Sequence, residues 1–328
     1  MIITRAPFRV SFFGGGTDYV EWYSKYGGSF LSLAINKYAY ITLRVKPSFL
    51  EKRYRVSWRL QEDVPNISQI KHPIVRHSLL YNKFKDGVDI TYLGDLPSGT
   101  GMGSSSAFTV ALNHALLLAK KKSTSAKNLA KCAYIIEREK LKEVIGIQDQ
   151  IASAYGGFNY VKIKKNGGYN LKALEMSKDL MQNFCDRCLL LHTGISRRAS
   201  SIAEKKVKKI VKKEKIMHAM SEYVKEGYNL LLREKFSDFG YMLNDNWLLK
   251  KSLSQEISNP RIDDLYNYGL KNGALGGKLL GAGSGGFLLF FCKSKRARSN
   301  LRNKLNSSDS ICFSLANNGS ETVFKEER

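Results

Sequence analysis

One stretch decides the fold class of this sequence, Leu96-Pro97-Ser98-Gly99-Thr100-Gly101-Met102-Gly103-Ser104-Ser105-Ser106-Ala107. The mostly apolar residues 108–119 follow it and predict a helix. Glycine accepts positive φ and lacks the Cβ that would hold a ligand away from the backbone. A loop that opens into a helix also directs several N–H groups to one point, where the helix dipole adds positive potential. The stretch therefore predicts an anion site suited to the phosphates of a nucleotide.

The same stretch has a simpler interpretation, a Gly/Ser linker before a helix. It is not a Walker A motif, because no Gly-Lys-Ser/Thr ends it, and it contains no dinucleotide-type G-x-G-x-x-G. Ser104 or Ser105 can offer a hydroxyl to a magnesium ion, as the serine or threonine of a P-loop does.

Two further segments are rich in glycine. In chain order we call residues 14–16 the first, residues 96–103 the second and residues 276–286 the third glycine segment. The first follows a predicted strand, residues 8–13, and precedes Asp18, which can accept hydrogen bonds from sugar hydroxyls. Arg9, in that strand, can neutralise charge near a transferred phosphoryl group. The simpler interpretation of the first segment is a tight turn before a helix that Thr17 or Asp18 caps. The simpler interpretation of the third segment is a glycine-rich hairpin turn.

Two carboxylates stand in apolar surroundings after the second glycine segment. Glu137 lies in a predicted helix, residues 126–142, where a solvated side chain is the usual case. Asp149 lies between Ile147 and Ile151, so its carboxylate can be partly desolvated and suited to act as a base. The alternative is a helix N-cap for residues 150–154.

Composition bounds the class of protein. A chain of 328 residues is long enough for two domains, and no apolar run is long enough for a signal peptide or a membrane span, so a cytoplasmic location is expected. The net charge of +24 is compatible with nucleic-acid binding, with the gathering of anionic substrates, or with a lysine-rich composition alone; we favour the last two together. Seven lysines lie in residues 204–216, which predict an amphipathic basic helix.

The three glycine segments resemble the three motifs of the GHMP kinases, the superfamily of galactokinase, homoserine kinase, mevalonate kinase and phosphomevalonate kinase. The second resembles the phosphate-binding motif, with Met102 where leucine is usual. The first resembles the opening motif, with Gly15 and Gly16 in place of the Glu-His of galactokinase. The third matches Lys-x-x-Gly-Ala-Gly-x-Gly-Gly almost residue for residue. The motifs follow the family's order and span most of the chain.

The resemblance implies an α+β fold of two domains. Residues 1–180 would form an ATP-binding domain of the ribosomal protein S5 domain 2 type, and residues 181–328 a ferredoxin-like domain. It also implies an enzyme that uses ATP and Mg²⁺ to transfer a phosphoryl group to an alcohol, a reaction that depends mainly on positioning and charge stabilisation.

The resemblance also implies roles for particular residues. Asp149 would be the catalytic base, with Arg9 balancing charge, and Glu137 would hold Mg²⁺ together with Ser104 (or Ser105). The ATP phosphates would be held by Pro97, Ser98, Gly99, Thr100, Gly101, Met102, Gly103, Ser104 and Ser105. The substrate would be held by Gly15, Gly16, Asp18, Arg197, Gly281 and Gly283.

The acceptor is inferred from the Gly-Gly-Gly-Thr-Asp form of the first segment, which resembles the heptose 7-phosphate kinase and fucokinase branch. This implies phosphorylation of the anomeric hydroxyl of D-glycero-D-manno-heptose 7-phosphate to the 1,7-bisphosphate, for nucleotide-activated heptose and surface polysaccharide. Three alternatives stay open: a kinase of another sugar such as fucose, a non-catalytic protein that binds sugar and nucleotide, and a nucleic-acid-binding protein. The expected partners are ATP and a sugar phosphate, with no membrane or nucleic-acid partner; a homodimer is one assembly to consider.

Overall fold

The computed structural model describes residues 1–195, 213–305 and 307–326. Its strands are β1 (Ile2–Phe13), β2 (Gly28–Lys46), β3 (Tyr54–Ser57), β4 (Gln61–Val64), β5 (Gly87–Gly94), β6 (Phe158–Ile163), β7 (Tyr169–Ala173), β8 (Cys188–His192), β9 (Ala274–Leu279), β10 (Phe287–Cys292), β11 (Ser310–Ile311) and β12 (Glu321–Lys325). Its α-helices are α1 (Val20–Tyr26), α2 (Pro73–Tyr81), α3 (Ser104–Ala119), α4 (Ala126–Tyr134), α5 (Gln148–Tyr155), α6 (Lys178–Asp186), α7 (Glu214–Leu232), α8 (Phe236–Ser252), α9 (Pro260–Lys271) and α10 (Lys295–Lys304).

The first sheet is built around the long strand β2. Its C-terminal half pairs with β5 and its N-terminal half with β6, and β1 pairs antiparallel with its residues 31–43. The sequence predicts two strands over residues 27–45, whereas the structure has one. The register shifts where Pro7 pairs with Tyr38 and Phe8 with Ile35, so a bulge bends β2 without ending it.

The second sheet has the strand order β11-β8-β10-β9, and every neighbouring pair is antiparallel. Helices connect β8 to β9, and α10 connects β10 to β11. This is the β-α-β-β-α-β arrangement of a ferredoxin-like fold, so the predicted α+β class and the ferredoxin-like half are confirmed. The last strand, β12, was not predicted. It does not belong to the second sheet but pairs with β1 in the first sheet.

A cluster of buried aromatic rings joins the two sheets. Phe12, at the end of β1, has its ring centroid 5.5 Å from that of Phe184 and 5.3 Å from that of Phe239. Phe291 of β10 lies 5.2 Å from Phe184. The shared core holds the end of β1, which leads into the first glycine segment, against the second sheet. The boundary at residue 180 stays a prediction.

Two expectations concern the basic segment and the membrane. Of the lysine-rich residues 204–216, those before residue 213 lie outside the described part of the chain; residue 214 begins α7. Among the helices of the described residues, none combines the length and apolarity needed to cross a bilayer.

Candidate active site

A cleft lies where the three glycine segments meet the end of β1. It is partly open to solvent and has a cavity volume of about 370 Å³. This lies in the range of roughly 300–1,000 Å³ that is typical of small-molecule pockets. Most of the predicted site residues line it: Arg9, Gly15, Gly16, Asp18, Gly99, Gly101, Gly103, Ser104, Ser105, Glu137, Asp149 and Gly281.

The second glycine segment is held between the two halves of the molecule. On one side the Arg9 backbone N–H donates to the Met102 carbonyl at 3.1 Å, and on the other the Phe287 N–H donates to the Thr100 carbonyl at 3.2 Å. Gly101 has a φ of 76° and touches the third segment so closely that a Cβ there would lie 2.6 Å from the Leu280 carbonyl oxygen. No other residue type fits without backbone movement.

The N-terminus of α3 opens into the cleft. The helix begins at Ser104, with Gly103 in the left-handed conformation at its N-cap, and no side chain of the described residues caps it. The first N–H groups of a 16-residue helix thus face the cleft with the positive end of the dipole, which suits an anion. Ser105 and Ser106 do not cap this helix, because their hydroxyls bond to Glu137.

Glu137 is almost fully buried, with 1% of its surface exposed. It lies in a π-helical turn, Ile135–Lys140, that continues α4. Such turns occur frequently at functional sites. Its carboxylate accepts hydrogen bonds from the hydroxyls of Ser105 (2.8 Å), Ser106 (2.8 Å) and Thr109 (3.1 Å), and from the Gln150 amide. Burial raises the pKa of Glu137 to about 7, although the hydrogen bonds from Gln150, Ser105 and Ser106 act in the opposite direction.

The surroundings of Glu137 fit a magnesium ion. A buried carboxylate and several hydroxyl oxygens form the hard oxygen donor set that Mg²⁺ prefers. The Gln150 side-chain oxygen, Oε1, is buried and has no hydrogen-bond partner in the described part of the chain. An ion or its bound water would satisfy such an oxygen. Ser105, rather than Ser104, donates to Glu137, although both serines line the cleft.

Asp149 and Arg9 form a two-point ion pair across the cleft. Arg9 Nε donates to Asp149 Oδ1 at 2.8 Å, and Nη2 donates to Oδ2 at 2.7 Å. Arg9 Nη1 donates to the Gly101 carbonyl at 2.6 Å. One buried guanidinium thus orients the carboxylate and holds the second glycine segment, in the bidentate geometry that only arginine provides.

Asp149 is not a helix cap. It lies in the first turn of α5, whose N-cap position is Ile147. Its side chain keeps 28% of its surface exposed, whereas that of Arg9 keeps 6%. The exposed part faces the cleft and leaves room for a hydroxyl group to approach.

Asp18 follows the first glycine segment and also lines the cleft. Its Oδ1 accepts from the Gly16 N–H at 3.0 Å and its Oδ2 from the Gln148 N–H at 3.4 Å. A Cβ on Gly146 would come within 1.9 Å of Oδ2, so the backbone before Asp149 packs directly on this carboxylate. The expectation that Thr17 or Asp18 caps α1 is wrong, since its N-cap is Tyr19.

Some predicted site residues do not line the cleft. Thr100 and Met102 are buried, with Thr100 Oγ1 bonded to the Pro97 carbonyl and Met102 in the main core. Pro97 and Ser98 are exposed next to it. A Cβ on Gly283 would lie 2.8 Å from Ile257 Cα, which places this glycine under a neighbouring loop. Arg197 lies outside the described residues. The roles of these six, like those of the other site residues, stay predictions.

The sequence offers Lys250 or Lys251 as a contact for a substrate anion, with an exposed helix end as the alternative; in the structure Lys250 lines the cleft and is buried. The sequence analysis missed three residues of the cleft: Lys278, which is also buried, and Gln148 and Gln150, which flank Asp149. Lys278 belongs to the third glycine motif and donates to the Phe12 carbonyl at 2.7 Å. The motif itself is the signal that could have found Lys278. Neither glutamine carries a sequence signal, because an amide beside a carboxylate is common on surfaces as well.

Comparison with known proteins identifies the class. The family model of the GHMP kinases N terminal domain matches residues 72–157, and the model of the GHMP kinases C terminal domain matches residues 229–310. The D-glycero-alpha-D-manno-heptose 7-phosphate kinase of Campylobacter jejuni is 30% identical over 88% of this chain and 89% of its own length. The chain belongs to the GHMP kinases.

Solved structures agree with this assignment. A D-glycero-D-manno-heptose 1-phosphate kinase from Bacteroides thetaiotaomicron superimposes with a TM-score of 0.83 over the whole of both chains at 22% identity, a likeness of fold. A putative sugar kinase from Campylobacter jejuni superimposes with a TM-score of 0.77 over 98% of this chain and 97% of that chain, at 27% identity. The protein is accordingly an ATP-dependent phosphotransferase of the sugar kinase type.

Proposed function

We propose that this sugar kinase phosphorylates the anomeric hydroxyl of D-glycero-D-manno-heptose 7-phosphate, with ATP as donor and Mg²⁺ as cofactor. The observation that carries the proposal is the Arg9–Asp149 ion pair, because it stands between the second glycine segment and the Asp18 side of the cleft. A base in that position can take a proton from a sugar hydroxyl that faces a bound phosphate.

The ATP phosphates would lie at the second glycine segment. The backbone N–H groups that begin α3 and the dipole of that helix supply positive potential there, and the neighbouring glycines let the phosphates approach the backbone. Arg9, which is buried beside this segment, would balance the charge that develops during transfer.

The metal would be held by Glu137 together with Ser105 or Ser104. A magnesium ion held there would supply positive charge that stabilises the phosphates during transfer. Ser105, Ser106 and Thr109 hold the Glu137 carboxylate in place, and Gln150 links it to the turn that carries Asp149.

The acceptor would lie against the first glycine segment and Asp18. Gly15 and Gly16 carry no side chains, so they leave space for a sugar with an extended exocyclic chain. Asp18 is 5% exposed and held by two backbone N–H groups, so it can orient one hydroxyl. The two heptose phosphate kinases named above support a heptose as acceptor, although their names place the existing phosphate at different carbons.

The test is ADP release with Mg-ATP against a panel of acceptors: heptose 7-phosphate, heptose 1-phosphate, fucose, mannose, galactose and mevalonate. We expect the highest kcat/KM with heptose 7-phosphate. Asp149→Asn should lower kcat roughly 10²- to 10⁴-fold, the range of general base catalysis, and should still bind ATP. Asp179→Asn, a change at an exposed aspartate in the first turn of α6, is the matched control and should be neutral.

Turnover with another acceptor and none with heptose 7-phosphate would refute the acceptor. Full activity in Asp149→Asn would refute the assigned base.

A further inference from the structure

Lys250 is a buried lysine on α8 that faces the cleft. It keeps 3% of its surface exposed, and its ammonium group donates to the Leu279 carbonyl at 2.8 Å and to the Gly281 carbonyl at 2.9 Å. Burial of an ammonium group is costly unless hydrogen bonds compensate for lost water. The hydrogen bonds of Lys250 therefore hold two backbone carbonyls in place, which a solvated surface lysine does not do.

Its two acceptors enclose the point where the third glycine segment touches the second. The residue between them, Leu280, has its carbonyl oxygen 2.6 Å from where a Cβ on Gly101 would lie. A Cβ on Gly281 would in turn lie 2.5 Å from Gly101 Cα. Lys250 thus holds the backbone that packs directly on Gly101.

Gly101 connects this contact to the ion pair of the site. Its carbonyl accepts from Arg9 Nη1, and Arg9 holds both carboxylate oxygens of Asp149. A continuous series of contacts therefore runs from Lys250 through Gly281, Gly101 and Arg9 to Asp149.

We propose that Lys250 is a positioning residue that fixes the third glycine segment against the second, and so aligns the ATP phosphates with Asp149. The inference rests on the proposed function, because it takes the second segment as the phosphate site and Asp149 as the base. The competing role is direct contact between Lys250 and an anionic group of the acceptor, since the side chain also lines the cleft.

The neighbouring lysine offers a matched control. Lys251 belongs to the same helix turn, but it donates to Asp263 at 3.0 Å and its side chain is 30% exposed. It does not line the cleft. Lys250→Met and Lys251→Met remove the same charge from adjacent positions, so a difference between them reports the position and not the net charge.

The experiment measures three quantities in each of wild type, Lys250→Met and Lys251→Met. These are the Kd of a fluorescent mant-ATP, the KM of the sugar acceptor and kcat. For Lys250→Met we expect a mant-ATP Kd about tenfold weaker and a kcat roughly 10- to 100-fold lower, the scale of a 1 Å displacement in a reacting pair. The acceptor KM should change less than twofold, and Lys251→Met should match wild type.

Chemical rescue separates positioning from a general loss of structure. Lys250→Ala leaves space for a small amine, so added ethylamine should restore part of the ATP affinity and of kcat, and should not affect Lys251→Ala. Circular dichroism and thermal melting establish that each variant is folded. Should Lys250→Met not fold, Lys250→Arg takes its place, because it keeps a cation that cannot donate to both carbonyls in the same geometry.

Three results would overturn the proposal. They are a raised acceptor KM with unchanged ATP affinity, which indicates direct contact with the acceptor; values that all match wild type; and an absence of rescue in a folded Lys250→Ala protein. Failure of the proposed function is distinguishable, since wild-type protein would then not turn over heptose 7-phosphate, while the mant-ATP comparison still tests the role of Lys250.

Discussion

At the scale of single residues, the site depends on Arg9 more than on any other side chain. It is the group that contacts both the candidate base and the second glycine segment, through three hydrogen bonds of 2.6 to 2.8 Å. Arg9 lies opposite Ala34 of β2 and is 5% exposed, so burial and these hydrogen bonds hold its long side chain in place. The sequence predicted Arg9 and Asp149 as members of one site, but not that they touch, because 140 residues separate them.

Replacement of Arg9 by lysine should separate charge from geometry. Lysine keeps the positive charge and loses the parallel pair of hydrogen bonds to Asp149. We therefore expect kcat to fall roughly 10- to 100-fold in Arg9→Lys, with a smaller change in the ATP KM, because a misplaced base slows transfer. Steady-state kinetics with Mg-ATP measure both.

Arg5→Lys is the control for this change. Arg5 lies on the same strand and also pairs with a carboxylate, Glu321, but away from the cleft. Its substitution should leave kcat within twofold of wild type. Equal losses in the two variants would mean that Arg9 acts through strand stability and not through Asp149.

At the scale of elements, the close contact between the second and third glycine segments defines the cleft. Gly101 and Gly157 both have a φ of 76°, but a Cβ on Gly101 would meet a carbonyl oxygen at 2.6 Å, whereas one on Gly157 would meet nothing nearer than 3.7 Å. Both alanine variants carry the strain of positive φ, roughly 1–2 kcal/mol, and Gly101→Ala must also displace backbone.

Gly101→Ala should therefore lose at least about tenfold in mant-ATP affinity and in kcat, while Gly157→Ala should lose stability alone. Thermal melting and the kinetic assay of both proteins test this. Retained ATP affinity in Gly101→Ala would contradict the packing described here.

The N-terminus of α2 gives a pH dependence of stability. His72 caps this helix by accepting from the Val75 N–H at 3.4 Å, and its ring stacks on Phe108 of α3. Burial lowers the pKa of His72 to about 4, from 6.5. Between about pH 6.5 and pH 4 the unfolded chain binds a proton at this residue that the folded chain does not bind. Stability is therefore lost as pH falls through that window and is unaffected above it.

His72→Asn keeps a capping oxygen and removes the titrating ring. The variant is expected to start from a lower Tm at pH 7, because it loses the ring stacking, and to lose less Tm than wild type between pH 7 and pH 4.5. Thermal melts at the two pH values measure this. Equal losses in both proteins would show that His72 does not carry the effect.

At the scale of the whole molecule, the described residues that line the cleft do not account for the net charge of +24. They include four carboxylates, Asp18, Glu137, Glu143 and Asp149, and three cations, Arg9, Lys250 and Lys278. This lining therefore carries no excess of positive charge, and the remaining lysines and arginines would add long-range attraction for anionic substrates. The sequence alone could not show this, because composition does not say where a charge lies.

The parts of the fold that the sequence predicted are those with local causes. Glycine spacing, hydroxyl clusters and apolar runs predicted the strand before the first glycine segment and the helix after the second, since these patterns act within a few residues. The cap of α3, the π-helical turn around Glu137 and the pairing of β12 with β1 were not predicted. The serines at the start of α3 bond to Glu137, the π-helical turn carries that carboxylate to those hydroxyls, and β12 pairs with β1. Each of these partners lies many residues away in sequence.

The same division holds for the site. The three motifs predicted which segments meet, and the structure brings the first, second and third glycine segments to one cleft. The sequence did not predict the contacts of Lys250 with the carbonyls of Leu279 and Gly281, and it missed Gln150, which bonds to Glu137, because all of these are tertiary contacts. A glutamine after an aspartate has no pattern of its own.

The central claim is transfer of a phosphoryl group to the anomeric hydroxyl of a heptose 7-phosphate. The most direct measurement is the ³¹P and ¹H NMR spectrum of the product formed from that sugar and Mg-ATP. We predict one new sugar-phosphate resonance coupled to the anomeric proton, with the original 7-phosphate resonance retained. With Asp149→Asn, the same signal should form roughly 10²- to 10⁴-fold more slowly. A new phosphate coupled to any other proton of the sugar, or no product while another acceptor is turned over, would contradict the account.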